Sequence, residues 1–225
     1  FDKAIKFNPK YSEAYSNRGL AKYNIEDLQG AYFDFSKALE IGPIDADKYF
    51  NRGVAKAELG EFVSAIDDYS KAIELVKTDP ALFNFRGVAH YNVGNFDLAI
   101  ADYNEAIKID PKDAQTYENR ALAKGSKQNF KEALDDYSKA IELNPDEPET
   151  FNLRGVTKYN LEDHDGAIAG GAHLKIASCH RDRCLRMRPS PRSSISSGAW
   201  MPRRPRAYFI ATLNLQIVLW IVRAP

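Results

Sequence analysis

The chain has 225 residues, enough for one or two domains. Its 31 basic and 31 acidic side chains cancel overall, but residues 1–169 carry a net −9 and residues 170–225 a net +9, which excludes a single uniform body. Both cysteines, Cys179 and Cys184, fall in the basic part, so the acidic part has no disulfide framework.

From the N-terminus, Phe1–Pro9 reads as the end of a second helix whose own repeat begins upstream. Tyr15–Asn24 (YSNRGLAKYN) then opens a motif that returns at Tyr49–Glu58, Phe83–Asn92, Tyr117–Ser126 and Phe151–Asn160. The arginines Arg18, Arg52, Arg86, Arg120 and Arg154 are each 34 residues apart and are the only arginines up to residue 169. A fixed period in this range marks a repeat array. The spacing divides it into repeats 12–45, 46–79, 80–113 and 114–147 and a partial repeat 148–169, preceded by a remnant 1–11.

Each repeat reads as two helices. Tyr15, Leu20, Ala21 and Tyr23 recur at helical spacing in the first, and Ala31, Phe35, Ala38 and Leu39 form an apolar stripe on the second. The turns between them fall at Glu26-Asp27, Leu59-Gly60, Val93-Gly94 and Gln128-Asn129, and prolines near Pro43, Pro80, Pro111 and Pro145 punctuate the helix ends. Gly19, Gly53, Gly87, Ala121 and Gly155 form a column of small residues, as do Ala31, Ala65, Ala99, Ala133 and Ala167. One such helix pair cannot bury its apolar face alone, whereas stacked pairs can.

The aromatic at Tyr15 with Gly19, Ala31, Phe35, Ala38 and Pro43, and their counterparts in each unit, resembles the tetratricopeptide repeat over Phe1–Ala169. The Arg column departs from the family, where a Leu is usual, and makes this an Asn-Arg-Gly variant. The resemblance implies an all-α fold, a right-handed α-solenoid of antiparallel helix pairs, followed by a largely irregular tail. It also implies first helices lining a concave groove.

An Arg set among apolar residues needs a partner. Asp34, Asp68, Asp102 and Asp136 stand sixteen residues after Arg18, Arg52, Arg86 and Arg120, which predicts a ladder of Arg–Asp contacts between packed helices. The competing reading is a basic groove for acidic peptides. The fifth Arg, Arg154, meets Gly170 at that spacing.

The groove positions expected to meet a partner are Ser16, Tyr23, Asn24, Phe50, Glu58, Asn84, Tyr91, Asn92, Glu118, Asn152, Tyr159 and Asn160. Asn pairs with a peptide backbone through both donor and acceptor, and Tyr offers rigid area with a polar tip. Tyr-Asn occurs in repeats one, three and five only, either by duplication of a repeat pair or as a periodic groove feature. The clamp that some family members use on a chaperone's acidic tail needs Lys and Asn in columns that here hold Ser16, Phe50, Asn84, Glu118 and Asn152, and Leu20, Val54, Val88, Leu122 and Val156, so it is absent.

Residues 170–225 form a foreign or disordered Arg/Ser/Pro-rich stretch with a short apolar segment, Ala207–Val222, whose 16 residues fall short of the roughly 20 a spanning helix needs. A membrane anchor flanked by Arg203, Arg204 and Arg206, or a basic arm touching nucleic acid, are the lesser readings. His173, Cys179, His180 and Cys184 match no common zinc spacing. No catalytic constellation or phosphate-binding glycine loop is present in the sequence. The expectation is a non-enzymatic, cytoplasmic interaction scaffold for a protein or peptide partner, without cofactor, metal, small-molecule substrate, nucleic acid or membrane. The alternative is the repeat region of a larger enzyme or signalling protein, or a membrane-tethered assembly factor.

Overall fold

The computed structural model describes residues 1–161. The expectations for the later residues lie outside the described residues: the break after Ala169, the basic stretch, the run Ala207–Val222 and the cysteine spacing. The regular elements described are all α-helices: α1 (Asp2–Phe7), α2 (Ser12–Asn24), α3 (Leu28–Ile41), α4 (Ala46–Glu58), α5 (Phe62–Leu75), α6 (Pro80–Asn92), α7 (Phe96–Ile109), α8 (Ala114–Ser126), α9 (Phe130–Leu143) and α10 (Pro148–Asn160).

Local chemistry sets the helix ends. The side chains of Asp27, Asp45 and Asp79 accept from Gly30 N, Asp47 N and Ala81 N, capping α3, α4 and α6. Pro80 and Pro148 are first residues of α6 and α10, where a missing N–H costs nothing. The turn inside each of the four full repeats needs one left-handed residue. Gly60 and Gly94 supply it at φ +81°, whereas Glu26 and Gln128 are held there at +65° and +64°.

Among the described residues α2, α4, α6 and α8 each pack on their own second helix and on the second helix before it, and α10 packs on α9. The alanines of the second helices, Ala31, Ala65, Ala99 and Ala133, are fully buried. Beside them lie Phe35, Tyr69, Tyr103 and Tyr137, also buried. Their rings account for the glycine column. A Cβ built on Gly19, Gly53 or Gly87 would stand 2.6–2.8 Å from the ring carbon of Phe35, Tyr69 or Tyr103. Successive first helices also touch one another, α2 with α4, α4 with α6 and α6 with α8. No helix among the described residues is long and apolar enough to cross a membrane.

Candidate functional site

Two sets of side chains run the length of the array. The first is the arginine column. In four repeats Nε donates to one oxygen of the Asp sixteen residues on at 2.8–2.9 Å, and Nη2 donates to the other at 2.5–2.7 Å. The pairs are Arg18–Asp34, Arg52–Asp68, Arg86–Asp102 and Arg120–Asp136, and all four Asp residues are buried. This two-point grip uses the planar fork of the guanidinium.

Three further layers were not read from the sequence. The guanidinium lies over the aromatic ring three residues earlier, at 5.4–5.9 Å from the centroids of Tyr15, Tyr49, Phe83, Tyr117 and Phe151. A second cation, Lys22, Lys56 or Lys124, meets the same carboxylate at 2.8–2.9 Å. In the third repeat His90 takes that place, its Nε2 4.0 Å from Asp102 and its Nδ1 buried without a hydrogen-bond partner. Finally, Nη1 reaches back into the preceding second helix: Arg18 to Asp2 at 2.6 Å, Arg86 to Ser70 at 3.1 Å, Arg120 to Asn104 at 2.7 Å. Burial alone would raise the Asp34 pKa, but the hydrogen bonds from Arg18 and Lys22 outweigh it and lower it. Burial depresses the His90 pKa, so its imidazole is the neutral member of an otherwise doubly cationic column.

The second set lies along the first helices, and much of it is bonded to itself. The Tyr23 hydroxyl donates to Glu58 at 3.5 Å, Tyr91 and Ser126 share a bond of 3.2 Å, and Asn119 Nδ2 donates to Asn84 at 3.0 Å. Each of these links spans 35 residues, from one first helix to the next. Tyr91, one of the expected groove positions, is buried, only 6% exposed. Asn92 donates to the Val88 carbonyl within its own helix, while its Oδ1 is buried without a partner, as is Ser16 Oγ. Glu118 accepts from Thr150 and from Gln115. Phe50 is half-buried and packs edge-on against Phe85, with centroids 5.0 Å apart. Asn24, Asn152 and Tyr159 are exposed and Asn160 is half-buried. Lys48, invisible as a special residue in sequence, is buried where α4 begins and donates to Ser12 Oγ and the Pro43 carbonyl.

The row is acidic. Burial raises the pKa of Glu58, of Glu118 (with Glu149 and Glu147 adding to it) and of Asp47 (with Asp45 and Asp79 adding to it). Among the described residues no group of three or more His, Cys, Asp or Glu is placed to hold a metal.

Residues 80–113 and 114–147 each match the sequence model described as Tetratricopeptide repeat. These are tetratricopeptide repeats. No curated protein matches the chain in sequence. Among solved structures, the tetratricopeptide array is similar to MamA 41-end from Desulfovibrio magneticus RS-1, with a TM-score of 0.68 and 19% identity over 71% of this chain and 90% of that one. It is similar to YrrB, a TPR protein with an unusual peptide-binding site, at TM-score 0.64 and 22% identity over 76% and 88% of the two chains. The first TPR of Spaghetti (RPAP3), bound to the HSP90 peptide SRMEEVD, aligns at TM-score 0.52 and 26% identity over 52% of this chain and 94% of that one. The tetratricopeptide columns recur at the same helix positions in the repeats starting at residues 12 and 46, where Gly19 and Gly53 face Phe35 and Tyr69.

Proposed function

We propose that this tetratricopeptide array is an interaction scaffold that holds a segment of a protein partner along the row of first helices. The observation that carries the reading is the direct contact of α2, α4, α6 and α8, which makes one continuous surface of successive first helices. Asn24, Phe50 and Asn152 offer amide and aromatic contacts along it. YrrB and the RPAP3 repeat, both similar in fold, support a peptide as the occupant. The carboxylates Asp47, Glu58 and Glu118 favour a neutral or basic segment over an acidic one. Affinity capture with the full chain tests this. Asn24→Ala combined with Asn152→Ala should lose the captured partner, while Leu98→Ala, on the exposed side of α7, should keep it. Retention by the double variant with loss by Leu98→Ala would place binding elsewhere. The acidic peptide SRMEEVD should not bind, and micromolar binding would contradict the charge preference.

A further inference from the structure

Glu58 is a half-buried carboxylate in the row of first helices, and no cation of the described residues balances it. Its Oε1 accepts from the Tyr23 hydroxyl of α2 at 3.5 Å. Its Oε2 accepts no hydrogen bond from a described residue and is not enclosed. The lysines closest to Tyr23 and Glu58 in the chain are already committed, Lys22 to Asp34 at 2.9 Å and Lys56 to Asp68 at 2.8 Å. Glu58 is the last residue of α4, and Asn24, which is exposed, is the last residue of α2. The C-terminal end of a helix carries partial negative charge. Two such ends, on helices that touch, therefore add to the field of the carboxylate. Taking a carboxylate partly out of water is unfavourable until a cation joins it.

We infer that Tyr23, Asn24 and Glu58 form a subsite for one arginine side chain of the partner segment. The inference rests on the scaffold reading above and names the residue that the segment must bring. The chain's own arginines show what such a combination holds: Arg52 grips Asp68 with both Nε and Nη2 while lying over the Tyr49 ring at 5.6 Å. At Glu58 the carboxylate and the aromatic residue are both present, and the guanidinium is what the partner supplies. Its planar fork donates to Glu58 Oε2 and has further N–H groups for the Asn24 amide oxygen, a pairing that the point charge of a lysine does not match. The Tyr23 hydroxyl holds Oε1, which leaves the second oxygen to the incoming group. The column that contains Glu58 reads Asn24, Glu58, Asn92, Ser126 and Asn160, with a single acid. The segment therefore needs an arginine at one register position, which is a narrower demand than attraction of any basic chain to an acidic body.

The probe is a library of random linear peptides displayed on phage and selected on the full chain. The selected peptides should share one fixed arginine. In fluorescence anisotropy the tightest of them should bind about tenfold more weakly once that arginine is replaced by citrulline, its neutral isostere. The Glu58→Gln chain should bind the arginine peptide with the same loss and should no longer distinguish the two forms. Selected peptides without a fixed arginine, equal binding of the arginine and citrulline forms, or a Glu58→Gln chain that still separates them would each overturn the subsite and leave the scaffold reading standing. A library from which nothing is selected, or peptides whose binding survives Asn24→Ala combined with Asn152→Ala, would overturn both. The citrulline peptide leaves the chain untouched, so a folding defect in Glu58→Gln does not decide the outcome.

Discussion

Tyr103 carries a hydroxyl that the fold does not use. The side chain is fully buried and its oxygen has no hydrogen-bond partner. Phe35 fills the same place in the first full repeat, whereas the Tyr137 hydroxyl has the Thr157 side chain as a polar neighbour. Tyr103→Phe should therefore leave stability unchanged or raise it by up to about 1 kcal/mol, and Tyr137→Phe should lower it by about 1 kcal/mol, in denaturant unfolding. A larger loss at Tyr103 than at Tyr137 would contradict the assignment. Glu118 gives a test in pH. Burial first, then Glu149 and Glu147, raise its pKa above the ordinary value, with Thr150 and Gln115 partly offsetting. A carboxyl whose folded pKa lies above its unfolded one binds its proton more readily when folded. It adds stability as pH falls through the folded value and nothing more below the unfolded one. The stability of Glu118→Gln relative to the unaltered chain should thus fall as pH is lowered from 7 to about 4. A relative stability of Glu118→Gln that stays flat or rises over that range would count against a perturbed Glu118.

The helix pairs were the most legible part of the sequence, because their marks are periodic. Arg18 and Asp34 could be matched by spacing, since the four full repeats keep the interval and Arg occurs nowhere else up to residue 169 except in its column. Lys22 could not be singled out in the same way. A Lys on a helix is ordinarily a solvated side chain, and nothing in the local pattern says that it turns onto a carboxylate already held by Arg. The burial of Tyr91 was hidden for another reason: it depends on Ser126, one repeat further on, where the sequence showed only an alternation. At this scale the small-residue column makes a paired prediction. Gly87→Ala drives a Cβ into the Tyr103 ring, with 2.6 Å available, and should cost about 1–3 kcal/mol. Ala121 already holds a Cβ at the matching place in α8, fully buried, so Ala121→Gly should cost about 1 kcal/mol through lost helix propensity. Thermal unfolding of the two variants separates the cases, and a stabilising Gly87→Ala would show that the ring yields.

Across the whole array, stability is a sum of units and of the joints between neighbours. The arginines act at both levels, since Arg18, Arg52, Arg86 and Arg120 each grip their own second helix and three of them also reach the one before. The place that would serve Arg52 in this way is Ser36, whose hydroxyl is buried without a partner. Asn104 makes the corresponding bond to Arg120 at 2.7 Å. Ser36→Asn should strengthen that joint by about 0.5–1 kcal/mol. Hydrogen exchange over α3 and α4 is the readout, and slower exchange there with α8 and α9 unchanged is the expected result. Faster exchange would mean that the larger side chain does not fit.

The bonds from Tyr23 to Glu58 and from Tyr91 to Ser126 give the chain a parity. Each joins an odd repeat to the even one after it, and the even repeats carry Ala57 and Gly125 where the odd ones carry the tyrosine. Excising residues 46–79 keeps the 34-residue phase but sets Tyr23 beside Tyr91, two large rings in a place shaped for one. Excising residues 46–113 sets Tyr23 beside Gly125 and Ser126, a matched neighbour. The longer deletion should unfold in one sharp thermal transition, and the shorter one, despite retaining more helices, in a broadened or earlier one. A molecule built this way changes length by two repeats at a time.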